Sequence, residues 1–329
     1  MITFLFVALL VVFIVSVSIG VVRVDFRDVI TIIVSHLSGS IPDVSETADI
    51  IVWQIRMPRV IAAVLIGAAL AVAGCAFQCM FRNPLVEPYI LGVSSGAAFG
   101  AALSMVVGIS IVSFQFTSVF FAFIATIMTF LIATNRGTTK SLNLILTGLV
   151  VGALFTAGLS YLKIISLPGQ LQEITFWLMG GFYTAQWDNI WPLLMIPAFI
   201  FIVFLQSNNM NLLSLGDDTA ETSGVNVRKT KLILVVSATI ITALSVSTVG
   251  IIAWVGLLVP HVCRLIIGPD NRYLIPMAVV FGSLFMLLCD TAARTITQWE
   301  IPITIITSIV MAPILISIIK KNDIRYFGG

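Results

Sequence analysis

The sequence predicts an all-α integral membrane protein, a bundle of ten transmembrane helices. Three observations predict it: 59% of the 329 residues are hydrophobic, only 10% are charged, and the apolar residues gather into long runs with short polar stretches between them. An ordinary soluble domain carries about 25% charged residues. A water-soluble fold of this size has too little interior for so much apolar surface, so a mean hydropathy of +1.11 makes lipid part of the solvent. The net charge of +2 comes without a basic run and gives no sign of a nucleic-acid partner.

A run of about 20 apolar residues crosses the hydrocarbon core. The first covers about 2–22. It has no basic residue ahead of it and exceeds a secretory signal's core, so it reads as a retained helix. A polar stretch leads to Arg56-Met-Pro-Arg59 and the second run, about 60–80, which stops at FRNPLVEP. The third to fifth runs cover about 90–108, 114–134 and 141–162. An aromatic, partly polar stretch at 166–189 precedes the sixth run at about 190–206. A wet segment at about 207–231 then separates it from the seventh, about 232–250. The eighth contains Pro260, and the ninth and tenth cover about 274–293 and 302–319. The whole of 1–329 reads as one transmembrane domain.

Orientation follows from Lys and Arg. With both termini cytoplasmic, 11 of the 17 basic residues lie inside and 6 outside, the bias expected of a multi-pass protein. Arg56, Arg59 and Arg294 are then exceptions that need a reason. Helices in lipid associate through close backbone approach at small residues. Such ladders occur at Gly67-Ala71-Cys75, at Gly92-Gly96-Gly100-Ser104-Gly108, and at Gly148-Gly152-Thr156-Ser160.

Charge inside a membrane is costly and usually functional. Little is present. Asp290 and Arg294 lie one turn apart and are expected to pair. Glu87 falls in a proline-flanked inner turn. There is no proton or sodium relay and no phosphate-binding glycine loop, so energy for active transport has to come from another chain. Cys75, Cys79, Cys263 and Cys289 read as small apolar side chains. His261 lacks a second ligand at metal spacing and reads as a hydrogen-bonded structural residue; no metal site is expected.

Six segments in register go beyond a generic membrane protein: Arg56-Met-Pro-Arg59 with the helix after it, FRNPLVEPYILGVSSG, FWLMGGF, LSLGDDTAETSGV, VGLLVPHVCRLIIGPDNRYLIPM, and CDTAART with EIPITIITSIVMAPILISIIKK. Together they closely resemble the permeases of iron-siderophore, haem and cobalamin ABC importers. The resemblance implies ten helices, with the second to fifth and seventh to tenth as inverted repeats. It implies alternating access in a bacterial or archaeal cytoplasmic membrane. The implied partners are a second permease subunit (identical or homologous), two ATPase subunits that use ATP and Mg, and an extracytoplasmic substrate-binding protein. This chain performs no bond chemistry and binds no cofactor in that picture. Ferric siderophore is the expected cargo, with haem, cobalamin and molybdate as alternatives. An ion-coupled secondary transporter is the alternative from another class.

The resemblance also implies residue roles. Arg56, Arg59 and Arg294 match arginines that meet glutamates on the binding protein, a task suited to a permanently charged fork; snorkelling to head groups is the other reading. Charge reversal at Arg56 and Arg59 is expected to weaken docking and leave folding intact. Leu215, Gly216, Asp217, Ala220, Gly224 and Val225 match a coupling region of two short helices seated on the ATPase; a plain solvated loop is the other reading. Asn83, Leu85 and Ser141 are candidate gate residues, against a turn fixed only by its prolines. FWLMGGFYTAQW either lines the outer vestibule or anchors the membrane interface.

Overall fold

The computed structural model describes residues 1–20, 22–108, 111–135, 138–139, 141–297 and 299–321. Each apolar run contains a helix among the described residues. α1 (Ile2–Ser18) is the first. The polar stretch after it holds α2 (Phe26–Ser38), capped by Asp25 and closed by left-handed Gly39, and α3 (Glu46–Asp49), capped by Ser45. A π-helical segment at 50–56 leads into α4 (Met57–Phe81). α5 (Val93–Val107), α6 (Ile111–Ala133) and α7 (Ser141–Ile165) follow. Thr134–Asn135 and Thr138–Thr139 pair as a two-residue antiparallel hairpin, β1 and β2, a small departure from the all-α expectation.

The aromatic stretch contains α8 (Pro168–Leu178) and a 3-10 turn at Phe182–Thr184. α9 (Trp187–Ile190) joins α10 (Ile196–Leu205) through a second 3-10 turn. The wet segment forms α11 (Ser207–Ser214) and α12 (Asp217–Thr222). α13 (Val227–Val249), α14 (Val255–Ile267), α15 (Asn271–Ala293) and α16 (Ile303–Lys321) complete the chain. By length and composition six elements can cross a membrane: Glu46–Phe81, Phe114–Ala133, Leu142–Ile165, Trp187–Leu205, Val227–Val249 and Asn271–Ala293. α1, α5, α14 and α16 are apolar but shorter.

α4 is buried around almost its whole circumference, which makes it the central helix. It packs against α15, α13 and α14. Gly67 of α4 faces Gly282 of α15 so closely that a Cβ on Gly67 would lie 2.3 Å from the Gly282 carbonyl oxygen. α5 lies on α6 in the same manner, with Gly96 and Gly100 against the carbonyls of Phe121 and Thr117. The third ladder is only half used. Gly148 abuts the Ile90 carbonyl, but Thr156 and Ser160 are exposed and donate to carbonyls of their own helix. That side of α7 is left open, along with Leu146, Leu149, Val150 and Leu154.

Irregular segments meet inside the bundle and explain the short helices. Gly181 N–H donates to the Val249 carbonyl at 2.8 Å, and Ile303 N–H donates to the Gly180 carbonyl at 3.0 Å. Between α13 and α14 the chain unwinds at 250–254. There the Tyr89 hydroxyl donates to the Ile252 carbonyl at 2.8 Å and accepts from Ile252 N–H at 3.3 Å. Away from water, non-helical backbone persists only where protein satisfies it. Gly250 is required here: its φ is +75°, and a Cβ would lie 2.0 Å from the Trp177 carbonyl oxygen.

Candidate functional site

We call the end of the bundle carrying Arg56, Arg59 and Arg294 the outer end, following the charge count. The sequence places these three at the surface; the structure turns them inward, leaving each only 5–6% exposed. The cause is α1. The last carbonyls of a helix have no intrahelical donor, and two arginines supply one. Arg56 donates to the carbonyls of Val17 at 2.7 Å, Ser18 at 2.8 Å, and Val22. Arg294 donates to the carbonyls of Ile19 at 2.6 Å and Ser16, and to the Ser16 hydroxyl at 2.7 Å. These bonds tie α1 to the π-helical segment that leads into α4, and they argue against the expectation that reversing Arg56 leaves folding intact.

Arg59 differs. Its Nε donates to Asp290 at 2.8 Å and its Nη1 to Glu300 at 2.7 Å. The expected Asp290–Arg294 pair exists only as a looser 3.5 Å approach, so the principal partner of Asp290 lies on α4. Arg59 also lines an outer cavity of about 350 Å³ with Tyr183, Trp187, Asp188 and Glu300.

At the inner end, α11 and α12 form a bracket tied to three membrane helices. Asn211 donates to Asp270 at 2.7 Å and accepts from both the backbone and the side chain of Asn271 at 2.8 Å. The Arg272 guanidinium, with Asn211 and the Arg272 N–H, holds the Asp270 carboxyl well below the usual carboxylate range. Lys231 of α13 donates to Asp217 at 2.5 Å. Cys79 of α4 donates to the Met210 carbonyl at 3.0 Å, a polar use the sequence reading did not foresee. Gly216 and Gly224 turn the chain at φ +129° and +87°. Ala220 is fully buried, Val225 N–H donates to its carbonyl, and Leu215 stands 68% exposed.

Of the candidate gate residues, the side chains of Asn83 and Leu85 are among the described residues. Asn83 Oδ1 accepts from Leu85 N–H at 2.9 Å and so fixes its own turn, while the Leu85 side chain is exposed. The Ser141 side chain lies outside the described residues. Glu87 accepts a bond from Trp254 N–H, and burial pushes its carboxyl above the ordinary value. His261 corrects another expectation: among the described residues neither ring nitrogen has a partner. Arg264, one turn on, reaches Gln78 Oε1 at 3.1 Å instead.

A second cavity, about 610 Å³, opens at the outer end between α5, α6, α8 and α13. Trp177 and Tyr183 from the aromatic stretch line it, as do Ser104, Gln115, Glu173 and Thr248. Sequence reasoning reached the aromatic stretch, which includes Glu173, but not Ser104, Gln115 and Thr248 as neighbours of it, since these come from distant segments. Only the small-residue ladder ending near Ser104 hinted at a close helix crossing there.

The model of the FecCD transport family matches residues 8–321. A cobalamin import permease, BtuC of Halobacterium salinarum, is 36% identical over 286 residues, covering 86% of this chain and 76% of the relative. A hemin transport permease, HmuU of Yersinia pestis, is 38% identical over 280 residues, covering 82% and 84%. A solved structure described as an inward-facing conformation of a provisionally assigned metal-chelate type ABC transporter superposes with a TM-score of 0.86 at 32% identity, covering 98% of this chain and 99% of that one. Fold, inner bracket and relatives define a permease subunit of an ABC importer. The chain belongs to the FecCD transport family.

Proposed function

We propose that this permease imports an iron chelate, a ferric siderophore, by alternating access. Two ATPase subunits press on α11–α12, a second permease subunit packs beside the open face of α7, and a binding protein delivers cargo at the outer end. The observation that carries the coupling role is the bracket itself. It is tied to α4, α13 and the α14–α15 turn, yet it presents Leu215 to the outside. A force applied to such an element reaches the membrane helices without being lost in a flexible loop. A metal-chelate description of a structural relative at TM-score 0.86 is compatible with an iron chelate, as it is with haem and cobalamin, which are metal chelates too.

Docking of the binding protein centres on Arg59. Its guanidinium faces an open cavity, and its partner Glu300 is 46% exposed, so an incoming carboxylate can replace it. Arg56 and Arg294 are spent on α1. Both termini face the cytoplasm by the charge count, which also places α11–α12 there. The test is reconstitution in liposomes with the ATPase and binding protein: uptake of a ferric chelate requires both partners and ATP. Accumulation driven by an ion gradient alone would refute the reading.

A further inference from the structure

We propose that α2 is an interfacial helix, whose stripe of Phe26, Ile30, Val34 and Leu37 lies on the acyl region of the outer leaflet while its polar side stays in water. The partner is a lipid surface, and the proposal holds whichever cargo the permease carries.

A surface helix of a soluble protein has two faces, one packed and one polar. α2 has three. On the first, Val29 and Ile32 are fully buried, and the helix packs on α1 and on the π-helical segment at 50–56. His36 belongs to this face. Its Nε2 meets Asp49 Oδ1 at 2.7 Å, and its ring stacks on Trp53 with centroids 4.1 Å apart. The second face is polar and carries Arg27, Thr31, Ser35 and Ser38. The third is the stripe. Its members follow one another at spacings of four, four and three residues, which places them in one row on a helix of about 3.6 residues per turn. They are 43–78% exposed. One exposed leucine needs no explanation, but a row of four large apolar side chains does.

Three observations identify what covers the row. The first is length. α2 has 13 residues, whereas crossing the hydrocarbon core takes about 20. A helix this short, apolar on one side and polar on another, fits the plane of the membrane boundary. The second is continuity. α1 leaves Val11, Val15 and Ile19 exposed along its length, and the exposed Val22 carries that surface on to Phe26. The stripe is the outer end of an apolar surface that begins on α1. The third is level. Trp53 meets Trp187 at 5.4 Å, Trp187 meets Trp191 at 6.5 Å, and Trp191 is exposed. Indole rings favour the depth where hydrocarbon gives way to head groups, and His36 ties α2 to this row of rings.

Charge adds little to the attraction. Arg23 and Arg27 are matched by Asp25 and Asp28 in the same stretch. The contact is therefore with acyl chains and does not depend on anionic head groups.

The test uses the full chain in phosphatidylcholine nanodiscs. Cys75, Cys79, Cys263 and Cys289 are buried, so a nitroxide thiol reagent goes to an introduced cysteine, with the unaltered chain as control. Val34→Cys and Leu37→Cys report on the stripe, Thr31→Cys and Ser38→Cys on the polar face, and all four positions are exposed. Collisions with oxygen, which concentrates in lipid, are compared by spin resonance with collisions with a water-soluble nickel chelate. Oxygen should dominate at Val34→Cys and Leu37→Cys, and the nickel chelate at Thr31→Cys and Ser38→Cys. Adding the binding protein should leave the stripe signals as they are, and so should including phosphatidylglycerol in the discs. Nickel chelate reaching the stripe as freely as the polar face overturns the proposal. So does access that the binding protein abolishes, which would make the stripe a protein-docking face. Low collision with both reagents would assign it to a second copy of the chain, and a lipid pattern seen only with phosphatidylglycerol would assign the contact to charge.

Discussion

Arg59 and Asp290, 231 positions apart in sequence, meet at 2.8 Å where the outer ends of α4 and α15 cross, and the carboxylate has no exposed surface. Removing one member of a buried pair strands the other, at a cost of about 3–5 kcal/mol. Asp290→Ala should therefore destabilise the detergent-purified protein by about that amount. Removing Glu300, whose side chain is 46% exposed, should cost at most about 1 kcal/mol. Thermal melts of the two variants check the contrast, and equal losses would show that Glu300 anchors Arg59 as much as Asp290 does.

The same geometry separates the roles of the arginines. Arg294→Met leaves the carbonyls of Ser16 and Ile19 without their donor. We expect faster amide exchange over residues 16–22 and a loss of about 2 kcal/mol, since bonds to a charged donor contribute about 1.5–3 kcal/mol. Arg59→Met should also destabilise the fold, because it strands Asp290, and it alone of the two should lower the affinity of the remaining folded protein for the binding protein. Surface plasmon resonance with the binding protein as analyte distinguishes the two.

At the inner end, Asp217→Lys opposes Lys231 and unfastens α12 from α13. The expected result is a permease that still co-purifies with its ATPase but loses the stimulation of ATP hydrolysis by loaded binding protein. Leu215→Asp, on the exposed tip, should weaken co-purification itself. A pull-down read beside an ATPase assay resolves the two effects.

Glu87 gives a dependence on pH. Burial raises its folded value above the ordinary 4.5, and the Trp254 N–H offsets this only in part. A carboxyl raised on folding stabilises the fold fully below its unfolded value, and that stability is lost as pH rises through the folded value. Melting temperature should fall as pH rises from 4.5 upward, and Glu87→Gln should flatten that part of the profile. A parallel profile in the variant would assign the slope to other groups.

The apolar runs were legible because lipid imposes a length on each helix, and the two ladders at Gly67 and Gly96 were legible because close approach demands small residues at fixed spacing. The open half of the α7 ladder was not. Thr156 and Ser160 have the right size and spacing, but nothing local says whether a neighbouring helix is there. Asp290 was paired with Arg294 because they share a turn, whereas its stronger partner is set by tertiary packing. The arginines were recognisable as exceptions to the charge rule. Their capping of α1 was hidden because the carbonyls they reach belong to the backbone, which the sequence does not mark.

Tyr89 supplies both a donor and an acceptor to Ile252 at the break between α13 and α14. A phenol standing in for a missing helical turn means that the two helices are joined by a bolt and not by a continuous rod. The turn between α4 and α5 fastens this break at more than one point, through Tyr89 at Ile252, Glu87 at the Trp254 N–H and Pro88 against Gly256. A displacement of that turn would therefore be felt first at the start of α14.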